Sequence, residues 1–192
     1  VWLEGFSRGL AEARTAIAAP LVGGDTTRGL LSLTVTVLGS TPADQYLTRS
    51  GARPGDRLCV SGTLGDAAAG LAVLSGQLAV DETAAVVLTT RYARPSARLP
   101  LGQALRDCAT SCIDISDGLL ADAAHVASAS GVGLEIDSAL LPLSKTLRSS
   151  ADLDQSLDWA LAGGDDYELL FTLPDNIPLP DGCSEMGRVV AG

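Results

Sequence analysis

A chain of 192 residues is long enough for one domain and part of another, and its 46% hydrophobic content excludes a disordered tail. A net charge of −10, with Lys145 the only lysine, excludes a nucleic-acid surface. Four cysteines without a CxxC pair and one histidine exclude a zinc centre and imply no disulfide framework, which fits a reducing cytoplasm, and no apolar run is long enough to span a membrane.

Along the chain, residues 1–19 place Trp2, Leu3, Phe6, Leu10, Ala13 and Ile17 at helical spacing, and Pro20 stops the run. Leu30 to Leu38 alternates Leu, Thr and Val, which predicts a half-buried strand. Gly39, Pro42, Gly51, Pro54 and Gly55 surround a short helical patch at 44–49 and mark a domain junction. Residues 1–50 then read as the end of one domain and residues 51–192 as a second.

Within the second domain the sequence predicts a strand at 57–61 and a helix opening at Gly65-Asp66. In that helix Asp66 is the expected N-cap, and Leu71 and Leu74 the expected inward residues. Helices follow at 81–92 and 101–109, then a strand at 111–115. Ser116 or Asp117 is expected to cap a helix that runs to Ser130 and ends on Gly131. A strand at 132–136, a Leu-rich loop, a helix at 153–161 and strands at 167–173 and 185–190 complete the pattern. This alternation predicts an α/β or layered α+β domain.

Three loops carry chemistry: Gly23-Gly24-Asp25-Thr26-Thr27, Asp114-Ile115-Ser116-Asp117 and Gly163-Gly164-Asp165-Asp166-Tyr167. Unpaired carboxylates are costly to bury, but on glycine-rich turns they are good ligands for the hard cations that carry phosphates. A helix N-terminus after Asp117 would favour an anion, with a cation between anion and aspartates. Each loop alone also reads as an ordinary polar turn or cap. Arg49 either clamps a phosphate or is a solvated arginine. There is no GxxxxGK[ST] and no protein-kinase signature set. His125 reads as a partly exposed surface residue.

In their order, these motifs resemble thiamine-monophosphate kinases of the aminoimidazole-ribonucleotide-synthase superfamily. The similarity runs through Trp2–Leu10, Gly23–Gly29, Leu47–Asp56, Ser61–Leu71, Ile113–Asp122 and Gly163–Phe171. It implies ATP-dependent phosphorylation of thiamine monophosphate to thiamine diphosphate, by direct in-line transfer with several Mg²⁺ ions, in a cytoplasmic homodimer. By motif match, Asp25 binds Mg²⁺ and Gly24 contacts ATP. Arg49 and Ser116 contact ATP, Asp114 and Asp117 bind further Mg²⁺, and Asp165 contacts the substrate. The family usually has glutamate at the position of Asp165.

The family's early aspartate-rich metal loops have no counterpart here, so the chain is expected to be a fragment, inactive by itself. Two alternatives stand beside this reading. One is another ATP-using member of the superfamily, a selenophosphate synthase or a purine-pathway synthetase. The other is a non-catalytic nucleotide-binding domain.

Overall fold

Five short apolar runs pair into one antiparallel sheet in a computed structural model that describes all residues, 1–192. The strands are β1 (Arg57–Ser61), β2 (Ser111–Asp114), β3 (Val132–Ile136), β4 (Leu169–Leu173) and β5 (Cys183–Ala191). Their spatial order is β2-β4-β1-β5-β3, and every neighbouring pair is antiparallel. The layered α+β class is therefore realised, with both sheet faces covered.

Alternation along the strands divides the core in two, because successive side chains point to opposite faces. Leu58, Val60, Leu170 and Met186 enter the larger core. The helices around it are α2 (Asp66–Leu74), α5 (Leu119–Ser130), α6 (Lys145–Ser150) and α7 (Leu153–Ala162). Cys59, Phe171 and Leu173 point the other way and meet Leu105 of α4 (Leu99–Leu105) in a smaller core. Burial pushes the Cys59 and Cys112 thiols up to about 12, so both behave as small hydrophobes.

Helix α2 differs from expectation in its inward face. Leu71 and Leu74 are exposed, while Ala67, Ala69, Gly70 and Ala72 are buried. The reason is close packing against α3 (Glu82–Ala93). A Cβ on Gly70 would lie 2.2 Å from the Leu88 carbonyl oxygen, so only the small-residue face fits there. The N-cap is Gly65 at φ +85°, not Asp66. The Asp66 carboxylate instead accepts from Thr63 Oγ1 (2.7 Å) and Ser144 Oγ (2.6 Å). The Leu-rich loop contains a 3₁₀ turn at Ser138–Leu140 as well as α6.

The chain divides into two units, Val1–Pro42 and Ala43–Gly192. The first holds α1 (Trp2–Ala16), on which Trp2 and Phe6 stack with ring centroids 5.6 Å apart. The strand expected at 30–38 is absent, and its leucines and valines are exposed. An apolar alternation becomes a strand only against a ladder partner, and this unit contains no second strand. The helical patch expected at 44–49 is absent as well. Asp44 takes φ +60°, and farther along the Thr48 carbonyl accepts from Cys112 N (2.8 Å), joining that segment to the β2 edge. No helix is long and apolar enough to cross a membrane.

Candidate phosphate and metal site

The end of β2 and the turn into α5 open onto a cleft of about 520 Å³, lined by Arg49, Asp114, Ser116, Asp117, Asp122 and His125 among others. Backbone hydrogen bonds bring Arg49 there. Thr48 is held on Cys112, and the Ser130 hydroxyl accepts from Gly51 N and Ala52 N (both 3.2 Å) while donating to the Arg49 carbonyl (3.3 Å). The segment around Arg49 is thereby tied to the C-terminal end of α5.

Helix capping does not explain the polar residues of this turn. The cap position is Gly118 at φ +111°, and neither Ser116 nor Asp117 supplies a cap through its side chain. Asp122, inside the first helical turn and buried, takes the free backbone donors instead. Its carboxylate accepts from Ser116 N (2.9 Å) and Asp117 N (3.1 Å). The side chains of Arg49, Asp114, Ser116 and Asp117 therefore line one cleft without a hydrogen bond or ion pair inside the chain. His125 is exposed at its edge.

The third acidic loop lies alongside. Asp165 N donates to the Ser116 carbonyl (3.0 Å) and Tyr167 N to the Ile115 carbonyl (2.8 Å). Gly164 permits this approach, since a Cβ there would stand 2.5 Å from the Ser116 oxygen. Asp165 also borders a cavity of about 240 Å³ walled by Ala68, Tyr92, Trp159, Gly163 and Gly164. Asp165 thus borders the cavity and is joined through its backbone to Ser116, which lines the cleft.

Asp166 is buried and faces the start of α2, accepting from Gly65 N (2.8 Å) and more weakly from Ala67 N (3.5 Å). Burial pushes its carboxyl up to about 7, against the pull of those two donors. Its folded-state value thus lies above the unfolded one, so the folded state holds more protons across the interval between them. Stability is expected to fall as pH rises from about 4 to 7. Asp166→Asn should flatten that slope; urea midpoints of both proteins across the interval check it.

Sequence reasoning missed a buried ionic cluster. Glu168 is fully buried, and Arg98 reaches it from the α4 N-terminus through Nε (2.6 Å) and Nη2. Arg91 of α3 adds Nη2 at 3.1 Å, and Ser61 Oγ donates to the second carboxylate oxygen. The signal was present in the Asp165–Leu169 motif, where acidic residues outnumber those a solvated turn requires.

In the first unit, Asp25 is exposed and its Oδ1 accepts from Thr26 N (2.8 Å), while Gly24 has open space around it. No three His, Cys, Asp or Glu side chains anywhere in the chain gather closely enough to hold an ion. Asp114 and Asp117 are nonetheless hard oxygen donors, exposed and free. That suits Mg²⁺, which binds through one or two carboxylates, substrate phosphates and water.

The chain is similar to known proteins over most of its length. Thiamine-monophosphate kinase of Escherichia coli K12 is 51% identical over 175 residues, which is 91% of this chain and 54% of that protein. A crystal structure of thiamine-monophosphate kinase from Stenotrophomonas maltophilia superposes with TM-score 0.72 at 40% identity, covering 77% of this chain and 51% of that one. AaThiL complexed with AMPPCP and TMP superposes with TM-score 0.71 at 43% identity, covering 76% and 48%. The chain spans about half the length of the relatives it matches. The profile of AIR synthase related protein, C-terminal domain, matches residues 53–191, and the chain belongs to that family.

Proposed function

We propose that this chain forms part of an ATP-dependent kinase that converts thiamine monophosphate to thiamine diphosphate. A phosphate oxygen of the acceptor attacks the γ-phosphorus in line, and ADP leaves. The observation that carries this reading is the set of four unpartnered side chains, Arg49, Asp114, Ser116 and Asp117, in one cleft beside the Asp165 turn. A phosphate site needs such groups uncommitted in the free protein. The relatives named for the same activity support the choice of substrate.

The residues divide the work by their chemistry. Arg49 presents a planar fork of donors to phosphate oxygens. Ser116 donates its hydroxyl to the same nucleotide, while Gly24, in the first unit, leaves its own backbone open to a ligand. Asp25, by its own loop in the first unit, would offer Mg²⁺ a carboxylate, and in the second unit Asp114 and Asp117 would hold Mg²⁺. When bound, that ion neutralises phosphate charge and aligns the attacking and leaving oxygens. Asp165 accepts hydrogen bonds from the acceptor. Positioning and charge compensation supply the catalysis, as phosphoryl transfer generally requires.

The test incubates the whole protein of which this chain forms part with Mg·ATP and thiamine monophosphate and separates the thiamine esters by chromatography. Stoichiometric thiamine diphosphate and ADP are expected, and the 192-residue chain by itself should make neither. Tight Mg·ATP binding without product would replace this reading with a non-catalytic nucleotide-binding role.

A further inference from the structure

We infer that Tyr167 is a positioning residue of the acceptor site, whose hydroxyl aims the Asp165 carboxylate at the ligand. This rests on the kinase reading above and adds a residue to it. Asp165 and Tyr167 both adopt left-handed backbone, φ +65° and φ +50°, on either side of buried Asp166. Aspartate tolerates that region; a bulky aromatic residue seldom occupies it, and such strain persists only where its surroundings impose it. Here three fastenings impose it: Asp165 N on the Ser116 carbonyl, Tyr167 N on the Ile115 carbonyl, and the Asp166 carboxylate on Gly65 N.

Core packing does not account for the tyrosine, because Tyr167 is 40% exposed. The turn instead sends the Asp166 side chain inward and brings the two flanking side chains together. Tyr167 Oη donates to Asp165 Oδ1 at 3.2 Å. A carboxylate offers about four acceptor sites, so Oδ2 stays free for a ligand N–H. The amine-bearing ring of thiamine is a ligand of that chemistry. A phenol suits this role better than a cation would. It orients the carboxylate without neutralising it, in a region already bearing the charges of Asp114 and Asp117. It also limits the freedom of a side chain one methylene shorter than glutamate.

Tyr167→Phe removes only the hydroxyl. In the protein as the cell makes it, this variant is expected to raise KM for thiamine monophosphate about five- to tenfold, the scale of one typical intramolecular hydrogen bond. KM for ATP, kcat and the melting temperature should stay unchanged. Asp165→Asn should raise the acceptor KM further, and adding Tyr167→Phe to it should then cost nothing, since both act through one carboxylate. An unchanged acceptor KM in Tyr167→Phe overturns the assignment, as do equal shifts in both KM values with a lowered melting temperature. Wild-type protein that makes no thiamine diphosphate overturns the kinase reading and this one together; active wild type with an indistinguishable Tyr167→Phe overturns this one alone.

Discussion

Glu168→Ala is expected to lower the unfolding free energy by about 3–5 kcal/mol, the scale for removing one partner of a buried ion pair. Glu168 is the only carboxylate bound to both Arg91 and Arg98, and its own side chain is 1% exposed. Deleting it leaves two guanidinium groups facing a cavity and releases Ser61 Oγ from its acceptor. The arginine side chains keep 20% and 32% of their exposure, so water compensates part of the loss and the lower end of the range is expected. Arg98→Ala should cost less, because Arg91 and Ser61 still satisfy the carboxylate. Urea unfolding of the three proteins measures this. Equal stability in Glu168→Ala and wild type would mean that the cluster contributes nothing net. The consequence reaches the site, since Glu168 lies between the Asp165–Tyr167 turn and β4 and its carbonyl accepts from Ile115 N (2.8 Å).

The second large effect is on activity. Arg49→Ala is expected to reduce kcat/KM about 10²- to 10³-fold, the loss typical of removing one group that stabilises transition-state charge. Arg49→Lys should fall between, because it keeps the charge and loses the fork. Asp114→Asn should match the alanine variant of Arg49. Both side chains are exposed and make no bond within the chain, so melting temperatures should move little. Steady-state kinetics beside thermal melts separates the two properties. A loss of stability with kcat/KM preserved would return Arg49 to the role of an ordinary surface arginine.

Much of the domain from Arg57 onward was legible in the sequence, because its signals are local. Val132–Ile136 is bounded by Gly131 in a left-handed C-cap, and α3 begins on an Asp81 cap whose carboxylate accepts from Ala84 N (2.9 Å). Short-range periodicity and capping chemistry suffice for such elements. The same local signals failed at Leu30–Leu38, where alternation had no partner strand, and at Leu71 and Leu74, where a small-residue face won the packing. They also misassigned Ser116 and Asp117 as caps: the cap position is Gly118, and the backbone N–H groups of Ser116 and Asp117 themselves donate to Asp122 from within the helix.

Residue types and spacing by themselves determined that this chain carries hard-oxygen and arginine chemistry suited to phosphate, and that it builds a layered domain. Only the tertiary structure decided the order β2-β4-β1-β5-β3, the meeting of Arg49 with Asp114, Ser116 and Asp117, and the capture of Glu168 by Arg91 and Arg98. The capture of Glu168 by Arg91 alone joins residues 77 positions apart. A pattern in sequence reports what a residue can do within a few neighbours; distant partners are chosen by how sheet register and helix packing fill the core.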